Sequence, residues 1–117
     1  MNTIMDATVS DKSFHFALRI VKLSRYLKEK NEYVMSRQLL RAGTSIGANI
    51  AEGEQAQSRP DFISKLGIAL KEAAETNYWL RLLHGSGYLT DAEFASIFND
   101  CRELERMLTA IIKTTKN

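Results

Sequence analysis

Apolar residues recur along this chain at helical spacing in four long stretches, parted by short polar breaks. The clearest stretch holds Phe94, Ile97, Cys101, Leu104, Leu108 and Ile111, in alternating steps of three and four residues. That seam is the one a helix presents in a left-handed bundle. Phe16, Ile20, Leu23 and Leu27 form a similar stripe in a first helix over about 12–30. Phe62, Leu66, Ala69, Leu70, Ala73 and Leu80 do so in a third over about 59–85. The second helix is expected over about 34–56 and the fourth over about 91–113, with residues 1–10 and 114–117 frayed. Ser58 followed by Pro60 and Asp61, and Thr90 followed by Glu93, are capping signatures that open the third and fourth helices. Gly85 or Gly87 suits the left-handed residue that ends the third. The predicted fold is all-α, one domain over 1–117, with short loops that favour an up-down-up-down four-helix bundle.

Two helices are apolar on more than one side. Phe14, Leu18 and Val21 lie roughly opposite the core stripe of helix one, and Ile68, Trp79 and Leu82 lie off the core stripe of helix three. A monomeric bundle buries one stripe per helix, so these six are the candidate contacts of a homo-oligomer.

Helix two contains Ser45-Ile-Gly-Ala-Asn-Ile-Ala-Glu-Gly53. Gly43, Gly47 and Ala51 form a ridge without side-chain bulk, where a neighbouring helix can approach. Arg41, Ser45, Asn49 and Glu52 fall on another stripe, suited to hydrogen bonds between helices. Glu72 and Glu75 stand three apart on helix three, within expected reach of Glu52. Di-iron bundles need two Glu-x-x-His motifs with further glutamates, which this sequence lacks, so Glu52, Glu72 and Glu75 read as structural carboxylates, alongside Arg41 and Asn49 on the hydrogen-bonding stripe.

Sixteen Lys and Arg stand against fourteen Asp and Glu, so any basic surface is local. It concentrates on helix one, where Lys12, His15, Arg19, Lys22, Tyr26 and Lys30 share a sector of about 80°. Cations can track phosphates and a tyrosine among them can stack on a base, which makes these six the nucleic-acid candidates. The alternative is a solvated outer face. Cys101 sits at a core position, and with only His15 and His84 beside it no Cys/His zinc set is available. No nucleophile elbow or phosphate loop occurs, so no catalytic residue, cofactor or metal is assigned. With no signal-peptide pattern, no membrane-spanning run and no cysteine pair, the expected compartment is the cytoplasm.

The segments Gln38-Leu-Leu-Arg41, Ser45 to Gly53, Phe62 to Ala69 and Glu75-Thr-Asn-Tyr-Trp-Leu80 resemble the four-helix-bundle proteins encoded in intervening sequences of bacterial 23S ribosomal RNA genes. The resemblance runs from Phe14 to Lys113. It implies an up-down bundle assembled as a pentameric ring. It also implies kinship in fold with the accessory variability determinant proteins of diversity-generating retroelements, which associate with nucleic acid and a reverse transcriptase. The near-neutral charge here departs from the strongly basic retroelement proteins. Arg41, Asn49, Glu52 and Glu75 match family positions as structural residues, and no catalytic residue carries over. The function expected is a non-enzymatic, homo-oligomeric, RNA- or nucleic-acid-associated accessory protein, with a protein-protein adaptor or structural oligomer as the alternative.

Overall fold

Four helices, α1 (Thr3–Glu29), α2 (Tyr33–Glu54), α3 (Arg59–Gly85) and α4 (Asp91–Lys116), follow one another with three- to five-residue connections. The computed structural model describes residues 3–116, with side chains described from residue 9 onward. Capping chemistry sets the helix starts. Ser58 accepts a hydrogen bond from the Asp61 amide at 3.1 Å. At α4 the capping box is reciprocal: Thr90 Oγ1 accepts from the Glu93 amide at 3.1 Å, and Glu93 Oε1 accepts from the Thr90 amide at 2.9 Å. Glu32, which no capping signature in the sequence singles out, caps α2 by accepting from the Met35 amide at 2.9 Å. The first connection turns through Asn31 (φ 62°), a residue type that tolerates the left-handed region, and the last turns through Gly87 (φ 89°).

Side-chain contacts fix the directions. Ser24 meets Ser36 while Ser10 meets Glu54, so α1 and α2 are antiparallel. Arg41 reaches Glu72 and Lys65 reaches Glu52, which orients α3 against α2. Asn77 reaches Glu105 and His84 reaches Asp91, which orients α4 against α3. Each helix packs on two neighbours, α1 closing the circuit on α4. The extents are 44 × 22 × 19 Å, the long one about that of a 27-residue helix.

Both termini extend further than the sequence pattern indicated. Helix α1 starts at Thr3 rather than near Lys12, so the expected frayed arm is helical from there; residues 1–2 lie outside the description. Val9, 2% exposed, continues the buried stripe Val9, Ser13, Phe16, Ile20, Ser24 and Leu27. Two of those six positions are serines, whose polarity disguises the period. Their hydroxyls are satisfied: Ser13 donates to the Ser10 carbonyl at 2.9 Å, and the Ser24 and Ser36 hydroxyls lie 2.7 Å apart, each within 3.2 Å of the other's carbonyl, so that one donates to its partner hydroxyl and the other to a carbonyl. At the other end α4 continues through Lys116, with Ile111 buried and Thr115 donating to its carbonyl at 2.7 Å; Asn117 lies outside the description. Helix α2 covers Tyr33–Glu54, against the expected 34–56.

The glycine ridge is a contact with α1. A Cβ on Gly43 would lie 2.8 Å from Ile20 Cγ1 and Cγ2, and one on Gly47 would lie 3.3 Å from Ser13 Oγ. Ala51 is exposed and stands outside this contact, whereas Gly53 is buried against Leu66. Cys101, 0% exposed, donates to the Ala73 carbonyl at 3.4 Å, and Thr76 donates to the Glu72 carbonyl at 2.8 Å. Among the described residues every buried side-chain nitrogen and oxygen has a partner.

Candidate nucleic-acid interface

The basic stripe of α1 borders α4. Two of its six members are tied there: Lys12 Nζ lies 3.0 Å from Glu103 Oε1, and Arg19 donates to Asp100 at 2.6 Å and to Ser96 Oγ at 3.0 Å. These pairs close the α1–α4 seam and neutralise part of the stripe, which spacing on one helix gave no means to foresee. His15, Lys22, Tyr26 and Lys30 stay exposed, and neither Lys22 nor Lys30 has a carboxylate within ion-pair distance among the described residues. Lys30 Nζ stands 5.6 Å from the centre of the Tyr26 ring. The free positive charge therefore gathers toward the carboxy-terminal end of α1, where Arg25 and Lys28 are also exposed.

Beside it a cleft of about 360 Å³ opens between α1 and α4, lined by Arg19, Lys22, Leu23, Tyr26, Leu89, Glu93 and Ile97. Leu89 and Ile97 are nearly buried, at 8% and 5% exposure, while Tyr26 is 41% exposed.

Three of the five polar residues assigned to structure, Arg41, Glu72 and Glu75, form a cluster on the α2–α3 face. Arg41 Nη1 donates to both Glu72 carboxylate oxygens at 3.2 Å, and Nη2 pairs with Glu75. Trp79 Nε1 donates to the same Glu75 oxygen at 3.0 Å. The indole hydrogen bond, with the Arg41 guanidinium beside it, holds the Glu75 carboxyl below its usual range; the Glu75 bond in turn raises Arg41. Glu52 does not join this group and pairs with Lys65 at 3.3 Å. Ser45 and Asn49 bond within α2, to the Arg41 and Ser45 carbonyls, rather than across helices as expected. Asn77 does bridge helices, donating to Glu105 at 3.1 Å.

Of the apolar candidates, Phe14 (62% exposed), Leu18 (53%), Ile68 (40%) and Leu82 (39%) are uncovered. Val21 is half-buried, and so is Trp79, which flanks the core as well as reaching Glu75. Among the described residues no three potential ligands gather as a metal site, and no helix is long and apolar enough to cross a membrane.

Residues 5–110 match the 23S rRNA-intervening sequence proteins. The chain belongs to that family. The match takes in the α1 stripe, the nonapeptide of α2 and the Glu72–Trp79 cluster, so each feature described above is part of a 23S rRNA-intervening sequence protein. A crystal structure of a protein of unknown function from the S23 ribosomal protein family of Bacteroides thetaiotaomicron is 58% identical, covers 93% of this chain and 98% of its own, and superposes with a TM-score of 0.91. No curated protein matches the chain.

Proposed function

We propose that this 23S rRNA-intervening sequence protein is a non-enzymatic, cytoplasmic homo-oligomer that associates with RNA through the carboxy-terminal half of α1. The observation that carries the reading is the set of exposed cations around an exposed tyrosine: Lys22 and Lys30 have no ion-pair partner among the described residues and flank Tyr26. Such groups can release counterions from a phosphate backbone, and a ring that repeats a weak contact gains avidity. Self-association, as a pentamer by resemblance, is supported by two separate uncovered apolar faces, Phe14 with Leu18 and Ile68 with Leu82. A ring needs two different patches that meet head to tail. The kinship in fold with retroelement accessory proteins belongs to the same reading.

A binding titration with structured ribosomal RNA fragments at low salt is the test. Wild type should bind, and a Lys22→Gln/Lys30→Gln variant should lose most of that affinity with its helicity intact. Lys12 and Arg19 are spared because their ion pairs hold α4. A wild type that does not bind leaves the adaptor reading, which the neutralised Lys12 and Arg19 favour.

A further inference from the structure

We infer that the cleft between α1 and α4 is a seat for one unpaired nucleobase of a single-stranded or bulged RNA, with the adjoining phosphate on Lys22. The inference rests on the RNA-associated reading above and goes beyond it by naming what is recognised. A phosphate contact alone needs only a cationic surface. This cleft is built otherwise: the half-buried Leu23 and the partly exposed ring of Tyr26 form apolar walls beside the nearly buried Leu89 and Ile97. Such a surface matches the faces of a flat heterocycle, which gains from stacking on an aromatic ring and from leaving water. The volume of about 360 Å³ lies at the small end of ligand sites, suited to one base and its sugar rather than to a helix or an extended peptide.

The polar groups at the cleft have separable tasks. Arg19 pairs with Asp100 and donates to Ser96, so its charge is already engaged. Lys22, which has no carboxylate partner among the described residues, is the cation left for a phosphate. Lys30, 5.6 Å from the Tyr26 ring centre, adds positive charge near the same ring. Glu93 uses Oε1 to cap α4, which leaves Oε2 to accept a hydrogen bond from a base N–H. A paired base is stacked inside its duplex and cannot enter, so duplex RNA would meet the cations alone.

Two RNAs distinguish the seat from a general phosphate contact: a 12-nucleotide single strand carrying 2-aminopurine, and the same strand fully paired. Wild type should prefer the single strand and quench its 2-aminopurine emission. Tyr26→Ala, at an exposed position, should weaken single-strand binding roughly tenfold to a hundredfold, the worth of one stacked base. It should abolish the quenching and leave duplex binding unchanged. Tyr26→Phe should behave as wild type, and Lys22→Gln should weaken both RNAs. If Tyr26→Ala retains wild-type affinity and quenching while binding stays salt-sensitive, the base seat is overturned and the RNA-associated reading stands. If wild type binds neither RNA at low salt, both fall.

Discussion

Replacing Gly43 with alanine sets two effects of opposite sign against each other. Alanine in a helix interior is favoured over glycine by about 1 kcal/mol. Against this, the new Cβ would sit 2.8 Å from both Cγ atoms of Ile20 and 3.2 Å from its Cβ. A long flexible side chain could swing away, but Ile20 is β-branched, stiff at χ1 in a helix and 0% exposed. Relief requires α1 and α2 to move apart. Overpacking of this kind costs about 1–3 kcal/mol, and contact with a Cβ atom puts the site in the upper part of that range. The net result should be a loss of about 1–2 kcal/mol, or roughly 4–8 °C in melting midpoint for a domain of this size. Gly67→Ala is the control: nothing lies within 4 Å of its added Cβ, so it should gain about 0.5–1 kcal/mol from propensity alone. Thermal melts by circular dichroism at one fixed protein concentration measure both. Gly43→Ala should also cost less in an Ile20→Ala background, where the clashing methyls are gone. A Gly43→Ala protein that melts above wild type, as Gly67→Ala should, would refute the close approach of α1 to α2.

Three further outcomes follow from the geometry. Because Glu75's carboxyl is held below its usual range, the stability it contributes is present above the unfolded carboxyl's range and lost as pH falls from about 5 toward 3. Glu75 is 39% exposed, so screening keeps the effect small. Urea midpoints should drop less over that interval for Glu75→Gln than for wild type, and equal slopes would remove Glu75 as the cause. The Cys101 thiol, pushed up to about 12 by burial, should resist a thiol reagent at pH 8 and react only at the rate of unfolding in a denaturant series; rapid labelling of the native protein would contradict its packing. Thr90→Ala removes one half of a reciprocal cap and should cost about 1 kcal/mol, read from the urea midpoint, whereas an unchanged midpoint would show that the box does not hold α4.

What was legible in the sequence was local. Ser58 and the Thr90–Glu93 box act within four residues, and both helices begin where those residues indicate. The α4 seam lies in the core as its spacing implied, with Phe94 half-buried and stacked on His84 at 4.2 Å. The early start of α1 was hidden because serines occupy core positions of its stripe: Ser13 is satisfied within its own helix by the Ser10 carbonyl, and Ser24 by Ser36 across the α1–α2 contact. The glycine ridge was legible as small residues on one stripe; that Ala51 lies outside it depends on where α1 runs. Five residues of the basic stripe lie on α1, and Lys30 begins the connection that follows it. The stripe's charge was overestimated, because Glu103 and Asp100 stand more than eighty residues away in sequence and meet Lys12 and Arg19 only in the fold. The cleft beside Tyr26 likewise exists only once α4 is in place.

The salt dependence of RNA binding tests the central claim most directly. Affinity for a structured ribosomal RNA fragment, measured by fluorescence anisotropy from about 50 to 200 mM salt, should fall linearly on logarithmic axes. In each protomer that engages the RNA, every phosphate that the Lys22→Gln/Lys30→Gln protein no longer neutralises should make the slope shallower by roughly 0.7–0.9. An unchanged slope in that variant, or a wild type whose affinity does not respond to salt, would contradict an RNA contact on α1.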